Sequence, residues 1–255
     1  MKTPLTVWLD REGRLLRLRL SRPKANIVDA EMIAALEAAL DEHLDNPAIA
    51  AVMLDAEGTH FSFGASVEEH MPDQCADMLG ALHRLVLKLA GAPVPTLCAI
   101  RGQCLGGGLE VALACSRLFA APDAAMGQPE IKLAVFAPAA SCLLPGRVGQ
   151  AAAEDLLYTG RSVDGTEANA LGLVDDLSDD PEAAALAYFD KYLAGISASS
   201  LRHAVQAARA SVVEQLALDL ARVEKLYLED LMSTRDAVEG LEAFIDKRKP
   251  SWEHC

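Results

Sequence analysis

Apolar and polar residues alternate from Leu5 to Leu9 and again from Leu15 to Leu20, with Arg11-Glu-Gly-Arg14 between them, so the chain opens on a predicted hairpin. Ser21-Arg-Pro-Lys-Ala-Asn26 reads as a loop, because Pro23 cannot donate to a ladder. The period then changes. Met32, Ile33, Leu36, Leu40 and Leu44 fall at helical spacing behind Asp29, a predicted N-cap, and Asn46-Pro47 ends the helix. Ile49 to Leu54 reads as a buried strand, Glu57-Gly58-Thr59 as a turn, and about Gln74 to Leu89 as a helix stopped by Pro93 and Pro95. Thr96 to Ile100 is a further buried strand, followed by a turn at Gly102, three glycines (Gly106, Gly107, Gly108) and a helix with Glu110 in its first turn. Leu118 to Ala120 is a strand and Pro122-Asp123 a turn; Phe136-Ala-Pro-Ala-Ala-Ser141 precedes an apolar segment. Gly149 to Tyr158 and Gly165 to Leu171 read as helices and Gly172-Leu-Val174 as a last strand. Beyond Pro181 the pattern is helical throughout: Glu182 to Leu193, Ser199 to Ser211, Val213 to Met232 and Ala237 to Lys247. Short strands interleaved with helices predict an α/β core, and the all-helical final quarter predicts a separate layer or an assembly surface. Ala194-Gly195 is the best boundary, giving a core over 1–195 and a helical region over 196–255.

Composition narrows the classes. With 51% hydrophobic and 24% charged residues, the chain is an ordinary globular protein, not a disordered one. It has no apolar run of membrane-spanning length, and its first ten residues lack the apolar core of a signal peptide. A net charge of −14 argues against broad contact with nucleic acid, which needs phosphate neutralisation. It leaves room for a small phosphorylated ligand held by a few local cations. The six cysteines form no C-x-x-C pair and several sit in apolar runs, which points to free thiols and a cytoplasmic location. The six histidines are scattered, so no metal site is expected.

Consecutive glycines let a backbone approach a ligand closely, and a helix start leaves N–H groups unpaired. Gly107 therefore offers one amide donor. Ala65, after Phe63-Gly64, offers a second. Two such donors can hold a carbonyl oxygen that becomes an enolate. Glu110, in an otherwise apolar helix, and Glu130, between Pro129 and Ile131, are the acid/base candidates. Each piece also has a plain reading: a packing turn for the glycines, and a solvated face for either glutamate alone.

Taken together, Gly64-Ala65, Gly106-Gly107-Gly108-Leu-Glu110 and Gly127-Gln-Pro-Glu130 resemble the crotonase (enoyl-CoA hydratase/isomerase) superfamily. Arg22-Pro-Lys-Ala-Asn26 upstream, Thr159 to Ala168 with Gly172-Leu-Val174 downstream, and Ala243 to Lys249 near the end extend the likeness over nearly the whole chain. The resemblance implies a spiral of β-β-α units with a helical C-terminal trimerisation region, in trimers often paired into hexamers. It implies that Ala65 and Gly107 form an oxyanion hole for an acyl-CoA thioester, with Glu110 and Glu130 as the catalytic pair. Coenzyme A would lie against Lys24, Ala25, Ala65, Ser66 and Val67, with Lys247 a further phosphate contact and Phe136 in the acyl pocket. No separate cofactor is implied. Both glutamates are present, which favours hydration or its reverse.

Two departures stand out: Ser66 replaces a usual Asp, and Val135 to Cys142 replaces a glycine-rich acyl-pocket segment. Arg22 to Asp29, His60 to Val67, Glu69 to Gln74 and Phe136 to Ser141 resemble one branch, the cyclohexa-1,5-diene-1-carbonyl-CoA hydratases of anaerobic benzoyl-CoA degradation. The alternatives within enzymes are a short-chain 2-enoyl-CoA hydratase and an isomerase. A non-catalytic acyl-CoA-binding protein is disfavoured because both glutamates remain. A dinucleotide-binding turn is disfavoured because the glycines do not continue as G-x-G-x-x-G. A serine hydrolase is disfavoured because Ser62, Ser66 and Ser141 lack the nucleophile elbow. His60 and His70 read as pocket walls or satisfied loop residues rather than as bases.

Overall fold

In a computed structural model, residues 3–255 are described; Met1 and Lys2, part of the N-terminal stretch read above for a signal peptide, lie outside them. The predicted hairpin forms as β1 (Leu5–Asp10) and β2 (Leu15–Leu20), antiparallel with Leu5 opposite Leu20. From β2 the sheet continues in parallel through β3 (Ala51–Ala56), β4 (Thr96–Ile100), β6 (Arg117–Ala120) and β9 (Asp176–Leu177). A smaller sheet takes β5 (Gln103–Leu105), β7 (Ala125–Gly127) and β8 (Ser162–Asp164). Strands β3 and β4 are apolar almost throughout and buried on both faces, as parallel strands under helices must be.

The helices follow the sequence pattern. Asp29 caps α1 (Ala30–His43) by accepting from Met32 N–H at 3.0 Å. Helix α2 (Cys75–Ala90) turns one face, including Met78, Leu82, Leu85, Val86 and Leu89, into the core. The three-glycine turn opens α3 (Gly107–Leu113), which is buried along its whole length. The apolar segment after Phe136 is a helix, α4 (Pro138–Val148), with Pro138 in its first turn, where a missing N–H costs nothing. Then come α5 (Gln150–Thr159) and α6 (Gly165–Leu171).

Two sequence expectations are corrected. Gly172-Leu-Val174 is not a strand: Gly172 ends α6 in a left-handed conformation, and Leu173 and Val174 donate back to Ala168. The strand follows at β9. The expected break after Ser211 is also absent, and α8 (Ala198–Lys225) runs straight through it. Ahead of it lies α7 (Pro181–Tyr188), which continues into a π-helical turn; α9 (Arg235–Ile245) closes the order.

Helix α7 docks on the sheet through charge. Arg17 and Arg19 of β2 both meet Asp55 of β3, and both donate to Glu182 of α7 at 2.6 Å. Both guanidiniums stack over Trp8, at 4.8 and 5.2 Å from the ring. Two cavities, of about 800 and 440 Å³, flank α8 away from the glycine turn. The arginines beside them are engaged at the C-terminal end of α3: Arg209 donates to Ala114 O and Ser116 Oγ, and Arg147 to Cys115 O. Among the described residues, no helix is long and apolar enough to cross a membrane.

Candidate active site

Two isolated bridges hold the Phe61–Ala65 segment: Ser62 pairs with Cys104 of β5, and Ala65 with Val28. The Ser62 hydroxyl, fully buried, donates to Asn26 O at 2.8 Å and accepts from Gly64 N–H at 3.1 Å. Its work is to shape the turn. Ser141 Oγ is likewise spent on Ala137 O, and Ser66 Oγ on Glu68. His60 Nδ1 accepts from Gln103 N–H, and His70 Nδ1 pairs with Ser66 O. The histidines are thus satisfied loop residues, as the sequence suggests.

This stitching brings Ala65 against the glycine turn. A Cβ built on Gly107 would stand 3.1 Å from Ala65 N, so the two amides are neighbours. Among the described residues neither N–H donates to a protein acceptor: Gly107 is the first residue of α3, whose leading N–H groups have no intrahelical partner. Gly106 has φ 48°, and any side chain there would collide with the Glu130 carboxyl. The glycines therefore admit a close backbone approach and also make room for a carboxylate.

Glu110 leaves the first turn of α3 and is 3% exposed. Its Oε1 accepts from Ala140 N–H at 2.9 Å, and the Ala139 N–H also favours its charged form. These are unpaired amides of the first turn of α4, so one helix end is capped by a side chain from another helix. Burial pushes the Glu110 carboxyl up, and the two amides pull it back only in part. Glu130 sits in a short 3₁₀ turn, Pro129–Leu133, which Ala134 ends in a left-handed conformation. The residue as a whole is partly exposed, but its carboxyl is enclosed by protein. Burial raises it first, and the nearby Glu110 charge raises it further. Both carboxyls therefore hold a proton more readily than a free glutamate does. Gln128, itself buried, lies against Glu130; with its amide nitrogen turned toward the carboxyl, it donates to both oxygens at 3.1 and 3.2 Å.

Ala25 O accepts from Phe63 N–H at 2.9 Å, so the Lys24-Ala25 loop borders the Ala65 segment, with Lys24 exposed beside it. Val67, Leu133 and Phe136 pack into one apolar cluster beyond the two donors. Lys247 lies in an exposed turn after α9, and no described contact ties it to the site. Sequence reasoning missed Ala139, Ala140 and Gln128. Gln128 was within reach, being inside the quoted Gly127 to Glu130 motif. The two alanines had only Pro138, a helix-start signal, to mark them.

Amide donors beside a pair of buried carboxyls can polarise a carbonyl and move a proton near it. Comparison with known proteins places the chain as a whole. The enoyl-CoA hydratase/isomerase family model matches residues 10–254. The chain belongs to this family. Among its relatives, a cyclohexa-1,5-dienecarbonyl-CoA hydratase of Thauera aromatica is 66% identical over 252 residues, covering 99% of this chain and 98% of that one. A probable enoyl-CoA hydratase of Mycobacterium bovis is 34% identical over 98% of both chains. Among solved structures, an enoyl-CoA hydratase/isomerase from Pseudoalteromonas atlantica superposes with a TM-score of 0.83 at 28% identity, covering 98% of this chain and 99% of that one. A putative enoyl-CoA hydratase from Mycobacterium avium paratuberculosis gives 0.87 at 24% identity over 98% and 99%, a likeness of fold. The α/β architecture with crotonase-type neighbours agrees with the fold expected from the sequence.

Proposed function

We propose that this protein adds water to cyclohexa-1,5-diene-1-carbonyl-CoA, giving 6-hydroxycyclohex-1-ene-1-carbonyl-CoA. The observation that carries the hydratase reading is the buried pair Glu110 and Glu130 beside the free N–H groups of Ala65 and Gly107. The substrate rests on the 66% identical relative, whose name specifies that hydration.

The two amides hold the thioester oxygen and draw electrons from the ring, so C2, β to the carbonyl, becomes electrophilic. Glu110, whose charged form the Ala140 amide favours, takes a proton from water as its oxygen bonds to C2. The electron pair of the C1–C2 double bond passes into a dienolate that runs from the held oxygen through C1 and C6 to C5. Glu130, whose carboxyl burial holds protonated more readily than a free glutamate, delivers its proton at C5, and the double bond settles between C1 and C6. Water is added once, no electron is gained or lost, and the reaction needs no redox cofactor. Lys24, with Ala25, Ser66 and Val67 alongside, faces the coenzyme A phosphates, and Phe136 the acyl ring. Lys247 would reach them only from another subunit. The apolar side chains exposed on α8 and α9 (Val212, Leu218, Phe244) support a homotrimer or hexamer. The six free cysteines fit a cytoplasmic location.

Turnover of the cyclic dienoyl-CoA and of crotonyl-CoA, with NMR of the product, tests the assignment. Preference for the cyclic substrate, with hydroxyl at the β carbon and the new hydrogen at the far end of the diene, is the expected result. Preference for crotonyl-CoA would make the protein an ordinary 2-enoyl-CoA hydratase, like several of its relatives by name. Glu130→Gln should lose turnover by about 10²-fold or more while retaining coenzyme A binding; near-wild-type rates in that variant would remove the role given to Glu130.

A further inference from the structure

Where α8 ends, the helix widens into a π-helical turn, Leu226–Asp230. Such a turn carries an extra residue and redirects the side chains on it, and it often marks a functional position. Here it turns Tyr227 inward, to complete burial. The phenol ring meets Phe136 edge-on at 5.1 Å between centroids. It belongs to the cluster of Cys75, Met78, Leu79 and Val135, with Val67 and Leu133 packed against it. Val67 follows Ala65 by two residues, and Leu133, Val135 and Phe136 follow Glu130. Tyr227 therefore packs against side chains of the two segments that carry Ala65 and Glu130.

Its hydroxyl is the anomaly. Oη is buried and has no hydrogen-bond partner among the described residues. A buried hydroxyl without a partner is rare and costly, and phenylalanine would fill the same space at no such cost. Burial first, and then the nearby Cys75, Glu130 and Glu110, raise the phenol's pKa, so it stays protonated as a donor.

We propose that Tyr227 is a further catalytic residue, whose hydroxyl donates to the oxygen of the water that attacks the substrate. This rests on the hydratase reading above. A water between two carboxyls gives them its two hydrogens and keeps two lone pairs. One hydrogen bond from Tyr227 occupies one lone pair and leaves the other facing the ring carbon, so the water has a single reactive orientation. In the reverse direction the same bond meets the departing hydroxyl. The ring of Tyr227, fixed by Phe136, holds that donor in place.

Tyr227→Phe keeps the ring and deletes the donor. With the cyclic dienoyl-CoA, kcat should fall about 10- to 100-fold while KM changes less than about threefold, with the melting temperature unchanged or raised. A purely structural tyrosine would move the melting temperature and leave kcat in place. A kcat within twofold of wild type, or a loss confined to KM, overturns the proposal. The same pair of enzymes is assayed with crotonyl-CoA. If wild type hydrates only crotonyl-CoA, the ring substrate is wrong, and the kcat loss is expected there instead, because the attacking water is common to both substrates. If wild type hydrates neither, the hydratase reading and this proposal fall together.

Discussion

At the scale of single residues, the site depends on what is missing as much as on what is present. The three glycines read from the sequence as a place where backbone meets ligand; the structure adds that Gly106 also meets the Glu130 carboxyl. Gly106→Ala should therefore fold but lose at least about 100-fold in turnover, because φ 48° strains any side chain there and the new methyl displaces the carboxyl. Steady-state kinetics beside a circular dichroism spectrum checks this, and an active, well-folded variant would mean that Glu130 has freedom the packing denies it. Gly107, Ala65, Glu110 and Glu130 stood out in the sequence only as a joint pattern, since each alone also has a plain reading. Ala139 and Ala140 did not: an alanine that contributes only its N–H looks like any other alanine. Tyr227 was hidden for a related reason, since a tyrosine at an apolar helical position reads as core.

At the scale of elements, period and punctuation located most boundaries, and the exceptions have physical causes. Helix α8 continues through Ser211-Val-Val213 although β-branched residues weaken helices, because the preference is a few tenths of a kcal/mol per residue and the helix packs on α2 and α4. Leu173 and Val174 are buried like strand residues yet only close the end of α6, a distinction that rests on hydrogen-bond direction and not on hydrophobicity. Helix α4 hid behind weak periodicity and an internal Pro145. The seating of α7 was not foreseeable, since it depends on residues far apart in the chain. Asp55 is buried against Arg17 and Arg19, and Glu182 completes the cluster. Asp55→Ala leaves Arg17 buried without its one buried carboxylate partner, with only Asp10 and Glu182 remaining, and should cost about 3 kcal/mol in urea unfolding; a loss below about 1 kcal/mol would show that these two or water take over.

Across the whole molecule, the carboxyl pair sets stability against activity. Both carboxyls are raised in the folded state, Glu110 to about 7 and Glu130 to about 8, above an ordinary carboxyl near 4.5. The folded chain therefore binds more protons than the unfolded chain between those limits. Stability from this source is complete below pH 4.5 and is lost as pH rises toward 7 or 8. Glu110→Gln and Glu130→Gln should each be more stable than wild type at pH 8, by on the order of 1–3 kcal/mol, with the gain vanishing near pH 4.5. Chemical denaturation at the two pH values measures it, and a gain independent of pH would assign the effect to packing. The hairpin and the alternation of strands with helices were readable from the chain; the second sheet and the order of the strands were not, because they join segments far apart in sequence. Nor was the closure of the Val135 and Phe136 cluster by Tyr227, because it joins positions that no local pattern connects.

That closure bears on how the protein is made. The cluster of Val135 and Phe136 with Tyr227, Ala237 and Leu241 is finished only when the end of α8 and all of α9 have left the ribosome. Until then both sheets can pair while this cluster stands open and its apolar side chains meet water. The nascent chain thus passes through a stage that has its parallel sheet but no working site, and that stage is where a chaperone would find most to hold.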